Sequence, residues 1–262
     1  MEIGLGVVVF TLALGVGLLS GLLGIGGGII LTPLLLYLPS ALGLSSPDMK
    51  EVAGLTMVQG LFSSASGVLR HHKYGFVDRI LVAWMGSVMA LTSLGGALIS
   101  YVVKVRTLEA LFALLAIVAA GLMFISKKDN EEQNCNCNGI VLFNRYSAVA
   151  IAAAVGFLGG LVGQGGAFIL IPLMLSILKL PTRTVLGSSL GIVFFSALAG
   201  FIGKLSTGQI DLFLAAFLVA GAIPGAQLGG FLSKRVTTLH LRYLLALLIG
   251  FTAIKMWYEL LR

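Results

Sequence analysis

Charge is what this 262-residue sequence has least of: Asp, Glu, Lys and Arg make up only 10% of it, against roughly 25% in a soluble domain. Hydrophobic residues reach 58% and the mean hydropathy is +1.06. So little polar surface cannot cover a chain in water, which excludes a soluble globule and places the protein in a bilayer. Carboxylates are missing from every long apolar run, so the buried proton relay of many pumps is absent. Cysteine is scarce too. The two present, Cys135 and Cys137, sit one residue apart among asparagines, poorly placed for a structural disulfide and without further ligands for a metal. They read as part of a polar loop, and no metal or cofactor is expected. Met1-Glu2-Ile3 lacks the basic start of a signal peptide, so the first apolar segment is read as mature protein. The weak alternation of barrel strands is absent as well, which leaves helices as the way to satisfy the backbone in lipid.

What is present are long uncharged runs, at 3–47, 52–69, 80–103, 110–126, 146–178, 184–203, 212–233 and 243–254. One crossing takes ~20 residues. The first and fifth runs are too long for a single helix, and each carries a glycine cluster where it would turn back. The polar stretch Lys127–Arg145 divides the chain nearly in half. Three units are expected: membrane repeat 1 over 1–126, a polar loop over 127–145 and membrane repeat 2 over 146–262.

The halves repeat. An offset of 139 lays GLLSGLLGIGGGIILTPLLL (17–36) over GFLGGLVGQGGAFILIPLML (156–175), with twelve identities in twenty positions. An offset of 133 then pairs Gly54 with Gly187, Ser63 with Ser196, Gly67 with Gly200, Gly75 with Gly208 and Asp78 with Asp211. Ordered glycines, prolines and aspartates mark a duplicated membrane domain, a pattern typical of transporters. Charge chooses between the possible topologies. If the long runs cross once, Lys and Arg divide 9 to 8 between the two faces; if they fold back as hairpins, 11 to 6. The positive-inside rule favours the second. The expected fold is an all-α, polytopic helical bundle of two inverted repeats, each opening with a glycine-broken hairpin, with both termini outside. The net charge of +7 and pI near 9.6 are then an orientation signal rather than a nucleic-acid footprint.

The glycine breaks are the candidate site. Gly24, Gly26, Gly27 and Gly28, and in the second half Gly163, Gln164, Gly165 and Gly166, weaken a helix by ~1 kcal/mol per glycine and expose backbone N–H groups. Such a break survives at membrane depth only against protein or a wet cavity. The short helix after each break points its positive dipole end at the break, which suits an anion. Thr56, Gln59, Ser188 and Ser189 on the following helices supply further polar groups, and Gln227 either lines a path or bonds a neighbouring helix. Small-xxx-small spacings at Gly17/Gly21, Gly156/Gly160 and Gly221/Gly225/Gly229 read as helix packing, with a homodimer as one use of such faces. Asp78 and Asp211 read as helix N-caps. His71 and His72 read as part of a solvated basic loop.

The blocks GLLGIGGGIILTP and GLVGQGGAFILIP, with the segments EVAGLTMVQGLFSSASG and TVLGSSLGIVFFSALAG that follow them, resemble the TauE/SafE family of sulfite exporters over nearly the whole chain. The resemblance implies permeation, and export, of small sulfur-containing anions such as sulfite, sulfoacetate or other organosulfonates across a prokaryotic cytoplasmic membrane. The expected partners are that anion and membrane lipid. An intramembrane enzyme is disfavoured, since no buried carboxylate supports a nucleophile. A non-transporting subunit of a larger complex, or a carrier of a non-sulfur anion, are the other readings.

Overall fold

The computed structural model describes residues 2–73, 77–125, 145–178 and 180–233, together with scattered helical positions from Tyr243 to Tyr258. The segment holding Cys135 and Cys137 and the side chains of His71 and His72 lie outside the described residues. Among the described residues the chain is all-α. Its helices are α1 (Glu2–Leu23), α2 (Gly28–Ala41), α3 (Met49–Lys73), α4 (Arg79–Ile99), α5 (Val105–Ile125), α6 (Arg145–Val162), α7 (Ala167–Ser176), α8 (Thr182–Ser206) and α9 (Leu212–Ser233). Seven of these, all but α2 and α7, contain stretches long and apolar enough to cross a membrane.

Both long runs break where the glycines cluster. Gly24, Gly26 and Gly27 have φ of 74°, 66° and 81°, and Gly163, Gly165 and Gly166 have φ of 86°, 60° and 76°. This left-handed region is open to glycine and costly for most other residues. Each break reverses the chain. A Cβ on Gly27 would lie 2.8 Å from a Val16 methyl, and one on Gly166 would lie 2.6 Å from the matching Val155 methyl. In the first half the return runs the length of the helix, since Gly4 meets Leu44.

Helix directions follow from which residues face one another. Along α1 and α9 the numbers rise together: Gly6 faces Phe217, Gly221 faces Phe10 and Leu14, and Gly229 faces Leu18 and Leu22. They also rise together along α4 and α6, where Gly156 faces Met89 and Gly96 faces Leu161. Along α3 and α8 they run in opposite senses, with Gly67 against Leu190, Gly60 against Ala197 and Gly200 against Met57. The first helix of each half therefore packs on the last long helix of the α3–α4 or α8–α9 pair in the other half.

Glycine sets these distances. In lipid, apolar side chains gain little by leaving the solvent, so helices associate through close van der Waals contact at small residues. Gly17 and Gly21 of α1 meet the backbone of Ala222 and Ala226, and Gly160 of α6 meets that of Ser93. These small-residue faces are consumed inside the chain and are not left over for a second copy. Large apolar residues such as Leu91, Val102 and Leu212 are exposed on the outside, as lipid-facing residues would be. Asp78 and Asp211 are the N-caps the sequence suggests: Asp78 accepts from the Ile80 and Leu81 N–H groups, both at 2.9 Å, and Asp211 from those of Phe213 and Leu214 at 2.8 and 3.2 Å.

Candidate functional site

The two breaks come together at the middle of α8. A Cβ on Gly26 would lie 3.0 Å from Val193 Cγ1 and 3.8 Å from Ala167 Cβ, and one on Gly165 would lie 3.3 Å from the same Val193 methyl. Both short helices begin beside this meeting point. The N–H groups of Gly27, Gly28 and Ile29, and those of Gly166, Ala167 and Phe168, donate to no acceptor among the described residues. The next turn closes normally, with Leu31 N–H reaching Gly27 O at 3.1 Å and Leu170 N–H reaching Gly166 O at 3.0 Å. Gly27 and Gly166 are the N-caps, without any side chain to cap them. Two sets of unsatisfied donors, each at a positive dipole end, thus lie close together with no charged group in the breaks themselves.

Each break is held by the other half. Ser189 of α8 donates its hydroxyl to Gly24 O at 2.9 Å, and Thr56 of α3 donates to Gly163 O at 2.7 Å. The 133-residue offset relates Thr56 to Ser189, so the two bonds are one interaction made twice.

The glutamines break this symmetry. Gln59 has its Cγ 3.4 Å from the Cβ position of Gly27, and Gln164 has its Cβ 3.1 Å from that of Gly28, so both flank the start of α2. Both are buried. Gln59 donates through Nε2 to Ala13 O at 3.2 Å, and Gln164 through Nε2 to Thr32 Oγ1 at 2.6 Å, while Thr32 donates to Gly28 O at 2.9 Å. With the Thr32 proton committed to Gly28, its oxygen must accept, which fixes the Gln164 amide orientation. The Oε1 atoms of both glutamines are left without a donor. A buried polar atom without a partner is costly and calls for an explanation.

Ser188 is placed differently. It is buried, but its hydroxyl accepts from the Asp78 N–H at 2.9 Å, at the junction of α8 with the start of α4 and away from the glycines. Gln227 is exposed on α9 and neither lines the breaks nor bonds a neighbouring helix among the described residues. Two participants lacked a strong sequence signal. Thr32 orients Gln164, and Ser20 donates at 3.1 Å to Oγ of Ser63, a residue the repeat already singles out, which in turn reaches Gly26 O at 3.3 Å. Ser20 and Thr32 are isolated hydroxyls in otherwise apolar stretches, which was the available clue.

Comparison with known proteins agrees with this architecture. The chain is 26% identical to the probable membrane transporter protein YunE of Bacillus subtilis, over 97% of each chain. It is 30% identical to the probable membrane transporter protein YdhB of the same organism, over 81% of this chain and 84% of that one. It is 28% identical to a probable membrane transporter protein of Xylella fastidiosa, over 84% and 82%. No solved structure matches the chain significantly. The family model for the sulfite exporter TauE/SafE matches residues 9–256. With apolar spans, a duplicated broken hairpin and a match across nearly its whole length, this chain is a membrane transporter that belongs to the TauE/SafE sulfite exporter family.

Proposed function

We propose that the protein carries small sulfur-containing anions, such as sulfite, sulfoacetate or other organosulfonates, out across the cytoplasmic membrane of a prokaryote, by alternating access to the meeting point of the two breaks. The observation that carries this reading is the meeting of the two breaks against Val193, each followed by a short helix whose first N–H groups are unpaired among the described residues, in a buried, carboxylate-free setting. Fixed backbone dipoles in a low-dielectric site bind an anion without the desolvation cost of a lysine or arginine. Gly24, Gly26–Gly28 and Gly163–Gly166 form the cradle, Thr56 and Ser189 hold it open, and Gln59 and Gln164 face the α2 end. Their two free acceptors favour an anion that brings a proton or an ordered water with it.

Alternating access suits two halves of opposite orientation. That relation is supported by the helix directions. With α1 taken as up, α9 is up and α8, antiparallel to α3, is down; α4 and α6 run together, as do α4 and α8, where Gly191 faces Val82 and Gly86 faces Phe195. On this reading the repeat units 1–126 and 146–262 are opposite in sense, with the polar loop 127–145 between them, and the distribution of loop Lys and Arg is what favours both termini outside.

A thermal-shift series on the purified protein with sulfite, sulfoacetate, thiosulfate and a carboxylate, followed by flux in proteoliposomes, tests this reading. A ligand at a hundredfold its Kd stabilises the folded state by about 2.7 kcal/mol, a rise of roughly 5–10 °C. Sulfite or sulfoacetate should give that rise and be transported. No shift and no flux with any sulfur anion would overturn the assignment.

A further inference from the structure

Among the described residues one ionisable side chain is buried, and it is not at the breaks. Lys204, in the last turn of α8, is 0% exposed. A count of uncharged runs puts it in a loop as an orientation charge, but the structure encloses it. Its ammonium donates to Ser100 Oγ at 2.9 Å and to Gln209 Oε1 at 3.1 Å. Both are neutral, and no carboxylate accepts from it among the described residues. An ammonium has three donors, so one is unused, and a buried charge without a counter-ion is strongly disfavoured.

The surroundings connect this lysine to the centre. Ala53 of α3 packs on Gly163 in the second break, and the next residue, Gly54, packs on the backbone of Gln209. Gln209, in the turn between α8 and α9, covers Lys204. Its Nε2 donates to Thr207 Oγ1 at 2.7 Å, and its N–H to Lys204 O at 3.0 Å. A second ammonium reaches the same corner from outside. Lys50 donates to Tyr101 O at 2.6 Å, beside Ser100, and lies 5.6 Å from the Tyr101 ring centre. From the second break outward the order is Gly163, Ala53, Gly54, Gln209, Lys204, Ser100 and then Lys50.

We propose that Lys204, with Ser100, is a second anion station at this end of the path, which takes a small oxyanion when the Gln209 turn lifts and passes it to or from the central breaks. The station rests on the proposed anion transport and adds to it a buried amine on one face only, whose positive charge an incoming anion would stabilise. Among the described residues the other end holds no buried cation. The substrate class is a compact anion that one ammonium and one hydroxyl can hold, while the closed turn in this structure keeps the two groups paired with each other.

The test measures KM for sulfite and for sulfoacetate from each face separately, in vesicles of known orientation, together with thermal shifts by sulfite and by chloride. Lys204→Gln should raise KM about tenfold from the face bearing the α8 C-terminus, with KM from the other face within twofold and Lys204→Arg close to wild type. A purely structural lysine would lower thermal stability without a sided KM, and that result overturns the station. So does an equal change at both faces, or no change. If Lys204→Gln does not fold, Ser100→Ala must show the same sided rise, and its absence overturns the proposal. A wild type indifferent to sulfite but stabilised by chloride in a Lys204-dependent way would retain the station and overturn the sulfur-anion reading instead.

Discussion

The hydroxyl of Thr56 donates to the carbonyl of Gly163 at 2.7 Å, so a helix of the first half closes the break of the second. Ser189 returns the interaction to Gly24 at 2.9 Å. Thr56 also lies 2.9 Å from Val52 O, within its own helix. Its hydroxyl can satisfy either carbonyl, which makes it a natural hinge between a latched and an unlatched break.

That reciprocity gives the first prediction. Thr56→Val keeps the volume and removes the donor, leaving the buried Gly163 carbonyl without its partner, at a cost of about 1–3 kcal/mol. Ser189→Ala should cost a similar amount at Gly24. Thermal denaturation in detergent should show both losses, and Thr56→Ser should restore most of the first. If Thr56→Val matched wild type in stability and transport, the hydroxyl would not be holding the break.

Asp78 and Asp211 are the same cap in the two halves, and each sits at the start of a helix remote from the glycines. Replacing either by Ala should cost ~1 kcal/mol of stability, with KM for sulfite unchanged. Asp78 also donates its backbone N–H to Ser188 Oγ at 2.9 Å, a bond that alanine keeps, so the two losses should be similar. A large KM change in either variant would move these residues from folding into substrate handling.

The sequence was most legible where local chemistry decides. A glycine triplet in an apolar run has few uses besides a left-handed turn, and an Asp before an apolar helix has few besides a cap, so both appeared at their expected positions. Gly28 is instructive. It aligns with Ala167, which raises the question of whether the two breaks match, and the answer is that neither is in the left-handed region, so both residues fit as the first of a helix. Contacts between the halves were not legible. Ser188 and Ser189 are adjacent and alike in type, yet one faces Asp78 and the other Gly24, because the rotation of α8 about its axis assigns them. Lys204 looks like a loop charge from sequence for a related reason: a boundary drawn at the first charged residue ends the run at 203, whereas α8 continues through it to Ser206.

The last prediction separates the glycines by what each must do. Gly27 and Gly166 are left-handed caps, with φ of 81° and 76°, and a Cβ would lie 2.8 Å from Val16 Cγ1 in the first and 2.6 Å from Val155 Cγ1 in the second. A leucine at either position adds backbone strain of about 1–2 kcal/mol and drives its side chain against α1 or α6, which pushes the break out of shape. Gly27→Leu and Gly166→Leu should therefore abolish sulfite flux in proteoliposomes, while seven spans of packed helix keep much of the protein monodisperse. Gly28→Ala differs. Its backbone is ordinary, its Cβ would sit 3.1 Å from Gln164 Cβ, and the second repeat already carries alanine there. It should retain at least about half of wild-type flux, since the N–H donors stay in place and a conservative exchange of this kind costs little. Equal loss in all three variants would mean that bulk near the break is what matters, and unchanged flux in the two leucine variants would remove the breaks from the transport path.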